Sequence, residues 1–332
     1  MSDYNPLFAT PFSTEPALFQ TACLELFRQQ YERIEIYRRY ADLLKIRPQN
    51  VQRIEDIPFM PVEFFKSYDV IAAGSLPEET FTSSGTTGQQ TSRHLVADTA
   101  LYRDSFRAAF ELFYGPVTDY CVLALLPSYL ERDGSSLIFM ADDMIRSSGH
   151  AASGFYLNEL EKLSTLLMEL NLAGQKTLLL GVTFALLDLA ENFPSGTGLP
   201  NTIVMETGGM KGKRKEMVRE EVHQILTAGL GQQVIHSEYG MTELLSQAYS
   251  DGAGLFRCPP WMKILIREPN DPLSLQCGGR SGGINVIDLA NRHSCAFIAT
   301  QDLGKVHDDG SFEVLGRFDN SDIRGCNLLA EM

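Results

Sequence analysis

Apolar residues recur at three- and four-residue spacing between positions 18 and 46. Phe19, Cys23, Leu26, Phe27, Ile34 and Tyr37 fall on one side, which predicts one or two amphipathic helices. Pro48, Pro58 and Pro61 then break the helical period. Short strands at 80–82 and 94–96 flank a polar Gly/Ser/Thr turn and predict a hairpin. A helix follows at 100–113, with Asp98 or Thr99 as its N-cap. Residues 120–126 are continuously apolar up to Pro127, as suits a strand buried on both faces. Beyond them, helices at 157–170, 184–191 and 213–228 alternate with strands at 177–180, 202–205 and 233–236. That alternation predicts an α/β fold with a largely parallel, helix-covered sheet. Past Gly252 the pattern shortens to β-like pieces at 262–267, 283–288, 296–300 and 312–315, which read as an appended antiparallel region.

Composition narrows the field of functions. With 28 Lys and Arg against 42 Asp and Glu, the net charge is −14, which argues against a nucleic-acid partner needing a basic face. A local nest of backbone N–H groups can still hold an anionic small molecule. The start has neither the basic nor the apolar part of a signal peptide. The longest apolar stretch, 177–190, contains Asp188 and is shorter than the roughly 20 residues of a membrane span. The six cysteines form no CxxC pair and no zinc spacing, which predicts reduced thiols in a cytoplasmic protein.

Three loops carry candidate chemistry. Thr82-Ser83-Ser84-Gly85-Thr86-Thr87-Gly88 places small and hydroxylic residues between two strands, either as a phosphate-binding nest or as a solvated hairpin turn. It is not the GxxxxGK[ST] phosphate loop, because Gln89 follows the second glycine. Ser237-Glu238-Tyr239-Gly240-Met241-Thr242-Glu243 follows the strand expected at 233–236, where α/β sheets bind ligands. There Tyr239 offers a flat face, Thr242 a hydroxyl and Glu243 a hard oxygen for Mg²⁺. Glu206-Thr207-Gly208-Gly209 follows another strand and reads by itself as a βα turn.

Taken in order, TSSGTTG at 82–88, Gly208-Gly209, YGMTE at 239–243, Asp302 and GRFD at 316–319 resemble the adenylate-forming superfamily of acyl-CoA synthetases, luciferases and adenylation domains. The closing stretch 319–329 makes the chain most similar to acyl-protein synthetases of the bacterial bioluminescence type, and less so to phenylacetate–CoA ligases. The resemblance implies the large N-terminal domain of such enzymes over 1–318, with 253–318 as its antiparallel β part and the small C-terminal domain absent. Residues 319–332 would then be a short tail.

The resemblance also assigns roles. Ser83, Ser84, Gly85, Thr86, Thr87 and Gly88 would hold the β- and γ-phosphates of ATP. Gly208 and Gly209 would wall the adenine pocket, and Tyr239 would stack on the base. Thr242 would reach the α-phosphate, Glu243 would hold Mg²⁺, Asp302 would accept the ribose hydroxyls, and Arg317 would support the ribose. The implied substrate is a carboxylic acid of the fatty type. The acyl group would pass to Cys326, with Arg324 favouring its thiolate, and then to a reductase-like partner protein. A stand-alone ligase delivering to CoA and a non-catalytic nucleotide-binding member are the rival readings.

The chain also departs from the superfamily pattern. Gln89-Gln90 stand where Pro-Lys is usual, with Lys211, Lys213, Arg214 or Lys215 as possible replacements for the cation. Ala299-Thr300-Gln301-Asp302 stands where Arg-Thr-Gly-Asp is usual. Only 13 residues follow Asp319, too few for the mobile domain with its catalytic Lys. By position, the acyl pocket draws on Leu126, Pro127, Ser128, Tyr129, Leu137 and Phe139. Asp142-Asp143 and Asp308-Asp309 read as surface turns, and His236 as structural.

Overall fold

Two units organise the chain in the computed structural model. One comprises Met1–Thr10 with Leu76–Pro259, and the other Pro11–Ser75 with Pro260–Met332. The structure describes residues 5–83, 91–127, 134–157, 159–194, 196–208, 217–276 and 279–318.

The first unit begins its ordered pattern with a hairpin. Strands β1 (Glu79–Thr82) and β2 (Arg93–Val96) pair antiparallel, with Thr82 opposite Arg93. Helix α1 (Thr99–Tyr114) starts where the Asp98 carboxylate accepts the Leu101 N–H at 2.9 Å, and ends at Gly115 with φ +82°. Its buried face carries Leu101, Tyr102, Phe106, Ala109 and Phe110.

The wound sheet follows. Its strands are β3 (Cys121–Leu125), β4 (Gly154–Phe155), β5 (Thr177–Gly181), β6 (Thr202–Glu206), β7 (His236–Tyr239) and β8 (Ala248–Ser250). Their spatial order is β4-β3-β5-β6-β7-β8, parallel throughout except for the β8 edge. Every residue of β3 and β5 is buried, as their unbroken apolar runs require. Helices α2 (Ser136–Ser148), α3 (Leu160–Leu172), α4 (Thr183–Asn192) and α5 (Arg219–Leu230) connect these strands.

Four expectations need correction. The last parallel strand is His236–Tyr239, so Ser237, Glu238 and Tyr239 lie within it and not after it. The helix expected at 213–228 begins at Arg219; Met217 and Val218 precede it in non-helical backbone, and 213–216 lie outside the described residues. Leu137 and Phe139 belong to helix α2, where Phe139 packs on Phe81 and Tyr102 with ring centroids 5.4 and 5.6 Å apart. Asp142 and Asp143 are also in α2, and Asp143 receives both arms of Arg107 at 2.6 and 2.8 Å.

The second unit holds an antiparallel sheet of β9 (Met262–Arg267), β10 (Ser281–Asp288), β11 (Phe297–Val306) and β12 (Phe312–Arg317). Met60–Pro61 adds to β11 in parallel. Helices Pro16–Arg33 and Glu35–Leu43 belong to the same unit. Phe27 of the first and Tyr37 of the second pack on Phe297, with centroids 6.4 and 6.3 Å away.

Gln30 fastens the longer helix to the turn before β11. Its amide NH₂ donates to the carbonyls of Asn291, at 2.8 Å, and Ser294, and its Oε1 accepts the Ala296 N–H at 3.0 Å. Gln30 is 1% exposed, so water does not reach these groups. Gln30→Leu keeps the volume but takes this partner from the Ser294 carbonyl and the Ala296 N–H, each costing about 1–3 kcal/mol when buried without one. Urea unfolding is expected to report a loss of about 3 kcal/mol or more; a loss below about 1 kcal/mol would show that the turn is held by other contacts.

Candidate functional site

Parallel neighbours β5, β6 and β7 end on one edge of the sheet, so the loops after Gly181, Glu206 and Tyr239 emerge together. Glu206 is the hub of that edge. It is 3% exposed. Its Oε2 accepts Thr183 Oγ1 at 3.0 Å and the Gly208 N–H at 3.0 Å. Its Oε1 accepts Ser237 Oγ at 2.9 Å and Arg219 Nε at 3.3 Å, with the His223 ring 3.7 Å away. Burial by itself would raise this carboxyl. His223, Arg219 and Ser237 outweigh it and hold Glu206 down to about 2, so it is ionised at neutral pH.

The ion pair continues toward the proposed base-stacking residue. The Arg219 guanidinium lies 4.8 Å from the centre of the Phe256 ring. Phe256 in turn meets Tyr239 edge-on, with centroids 6.0 Å apart. Tyr239 is buried apart from 8% of its surface, and its hydroxyl donates to Met241 Sδ at 3.8 Å. Gly208 has φ +47°, which positions its N–H toward the Glu206 carboxylate two residues earlier.

One residue along from each hub partner, Thr207 Oγ1 donates to Glu238 Oε2, tying the two loops directly. Glu238 is buried. Burial raises its carboxyl, the Thr207 hydrogen bond opposes the rise, and the Glu206 charge adds to it; the result is about 7. Two carboxylates on adjacent strands thus titrate far apart, one near 2 and the other near 7.

The turn after β7 is anchored to the hairpin. His94, wholly buried on β2, contacts the Thr242 carbonyl through Nδ1 at 2.8 Å. Thr242 is half-buried and Glu243 buried, on a turn closed by Leu244 N–H to Met241 O at 3.1 Å. Ser83 sits at the hairpin mouth, where its Oγ accepts the Ser92 N–H at 2.9 Å. Ser84, Gly85, Thr86, Thr87, Gly88, Gly209 and Cys326 lie outside the described residues, as do Gln89, Gln90, Lys211, Lys213, Arg214, Lys215, Ser128, Tyr129 and Arg324.

In the second unit, Asp302 on β11 and Arg317 on β12 are register partners, with Arg317 Nε 3.4 Å from Asp302 Oδ1. Asp302 also takes the Thr300 hydroxyl as acceptor for its own N–H at 3.1 Å, and Arg317 donates to Gln301 Oε1 at 3.2 Å. A carboxylate held beside a guanidinium on paired strands is a suitable acceptor for neighbouring hydroxyls. Sequence reasoning did not single out Glu206, Arg219, His223 or Glu238 as site residues. Their one sequence signal is two acids ending neighbouring strands, and it becomes visible only with the strand order.

Among the described residues no group of three His, Cys, Asp or Glu side chains is placed to hold a metal, and no helix is long and apolar enough to cross a membrane. The thiols of Cys23 and Cys295 are buried and pushed up to about 12, and burial also raises Cys121.

A raised carboxyl holds its proton longer in the folded state than the ordinary 4.5 of the unfolded chain. Folded protein therefore binds more protons between the two values, and Glu238 costs stability as pH rises from 4.5 through about 7. Denaturation midpoints measured from pH 5 to 8 are expected to fall less steeply in Glu238→Gln than in wild type. The two curves should diverge by roughly 3 kcal/mol at the alkaline end. Parallel curves would show that Glu238 titrates normally.

Comparison with known proteins follows the same lines. Residues 3–108 match the family model described as acyl-protein synthetase, LuxE. No curated protein matches the chain. The ATP-bound structure of MatB from Rhodopseudomonas palustris is 17% identical, with a TM-score of 0.54 over 72% of this chain and 47% of that one. Thus the chain spans about half of MatB's length. A 2-hydroxyisobutyryl-CoA ligase in the postadenylation state, in complex with 2-HIB-AMP, is 12% identical, with a TM-score of 0.68 over 93% of this chain and 69% of that one. An open conformation of the same ligase with 2-HIB-AMP and CoA gives 0.65 over 92% and 75% at 12% identity. The chain thus shares its fold with MatB and with the 2-hydroxyisobutyryl-CoA ligase, and residues 3–108 match the acyl-protein synthetase family model.

Proposed function

We propose that the chain activates a carboxylic acid of the fatty type by adenylation and passes the acyl group to its own Cys326. The observation that carries the first half is the convergence of Gly208, Tyr239, Thr242 and Glu243 at the ends of adjacent parallel strands, beside a hairpin that His94 fastens to the same turn. In the first step a carboxylate oxygen attacks the α-phosphorus of ATP. The bond from that phosphorus to the bridging oxygen breaks, and pyrophosphate leaves. The 83–88 loop holds the β- and γ-phosphates through backbone N–H groups and hydroxyls. Thr242 holds the α-phosphate, and Tyr239 with the 208–209 glycines holds the base. Positioning and charge neutralisation lower the barrier.

Glu243 with Thr242 fits Mg²⁺, which takes one or two protein oxygens and completes its shell with phosphates and water. When bound, the ion spreads the negative charge of the triphosphate. The chain's own part is to set the Glu243 carboxylate on a turn closed by Leu244 and held by His94.

In the second step the Cys326 thiolate attacks the acyl carbonyl carbon. A thioester forms, the acyl–phosphate bond breaks, and AMP leaves. Cys23 and Cys295 are buried and held near 12, which disfavours both as acceptors. A reductase-like partner protein then takes the acyl group. Delivery to CoA is the alternative, in keeping with the fold likeness to a ligase solved with CoA.

Carboxylate-dependent exchange of pyrophosphate into ATP tests the first step. Gly85→Val and Glu243→Gln are each expected to lower it by about tenfold or more while the melting temperature stays near wild type. Unchanged exchange in either variant removes that residue from the mechanism. Cys326→Ser is expected to keep exchange within about twofold of wild type and to lose the hydroxylamine-sensitive acyl label. Labelling at the wild-type rate in that variant would eliminate Cys326 as acceptor. Turnover with CoA and no label in wild type would select the ligase reading.

A further inference from the structure

We infer that Glu206 is a positioning residue for the nucleotide base, bracing both walls of the adenine pocket through one buried carboxylate. This rests on the adenylation reading above and names a residue that reading leaves without a role. The two walls are the Gly208 backbone and the Tyr239 ring. They lie at the ends of neighbouring strands β6 and β7, and Glu206 reaches each by a separate path.

To the first wall the path is direct. Glu206 Oε2 accepts the Gly208 N–H at 3.0 Å, fixing the turn at the only residue between β6 and the described loop end besides Thr207. To the second wall it runs through Arg219. Glu206 Oε1 holds Arg219 Nε at 3.3 Å, the guanidinium lies 4.8 Å from the Phe256 centroid, and Phe256 meets Tyr239 edge-on at 6.0 Å. Ser237, two residues before Tyr239 on β7, gives its hydroxyl to the same Oε1 at 2.9 Å. Thr183 at the start of α4 completes the shell on Oε2. Four elements, β6, β7, α4 and α5, therefore register against one buried charge.

The arrangement is more than a structural plug. A neutral amide at this position cannot accept on both ends and cannot neutralise Arg219. Relaxation of Arg219 would loosen its contact with Phe256, against which Tyr239 packs. Among the described residues none of Glu206's own partners lies on the β1–β2 hairpin, so pyrophosphate binding is expected to be unaffected.

That separation defines the experiment. Pyrophosphate exchange is measured with separate titrations of ATP, pyrophosphate and a long-chain carboxylate. Glu206→Gln is expected to raise the KM for ATP about tenfold, while the KM values for pyrophosphate and for the acid stay within about twofold. Equal rises in all three, or an unchanged KM for ATP, overturn the assignment while leaving adenylation intact. Arg219→Lys keeps the ion pair but removes the flat guanidinium over Phe256, and serves if Glu206→Gln does not fold. It is expected to raise the KM for ATP about threefold with pyrophosphate unaffected, and a wild-type value there also overturns the proposal. Wild-type protein with no exchange at all overturns the adenylation reading and this one with it.

Discussion

A single ionised carboxylate enclosed at the end of a parallel sheet sets the terms for everything around it. Water cannot reach Glu206, so its charge must be met by protein, and five groups are placed to do so. The donors come from the turn after β6, from strand β7 and from helices α4 and α5. The sheet edge thus has one satisfied arrangement, and departures from it would leave a buried charge short of partners. Glu238 next door shows the other outcome of the same physics: with a single hydroxyl donor and an anion nearby, it retains its proton up to about 7.

The second unit solves a similar problem with the opposite sign. Arg267 is 7% exposed and donates to Ile284 O at 2.7 Å, Asn285 Oδ1 at 3.0 Å and Thr300 O. Room for its head exists because position 283 is glycine; a Cβ there would lie 2.7 Å from Arg267 Nε. The register between β10 and β11 shifts between Gly283 and Asn285, beside that guanidinium. Asp302 and Arg317 lie on the same sheet, farther along β11 and β12.

The central strands β3 and β5 were legible because their burial is complete. Unbroken apolar runs located Cys121–Leu125 and Thr177–Gly181 within a residue or two, and a β-like pattern with an exposed Lys263 located Met262–Arg267 to the residue. Reading failed where a strand is polar and buried at once. Ser237 and Glu238 look like loop residues, yet they are 0% and 8% exposed because partners on other elements satisfy them. Helix α2 was missed because its first turn follows a charged stretch and its signal lies in Ser135 capping Ile138 and Gly149 ending the helix with φ +65°. For the site, motif order indicated which loops matter, whereas the carboxylates behind them depend on strand adjacency that no local pattern carries.

The second unit is discontinuous: Pro11–Ser75 must find Pro260–Met332 across an intervening body of its own. Gln30 waits for a turn 261 residues later. On a ribosome, chain order and folding order therefore diverge. The helix Pro16–Arg33 emerges early with Phe19, Cys23, Leu26 and Phe27 uncovered, and it stays so while the whole of Leu76–Pro259 is made and can fold. Long-range closure of this kind is slow, and the exposed interval grows with translation time. In this protein the speed of synthesis, and the presence of something to shield an apolar helix meanwhile, become conditions for a good yield of native molecules.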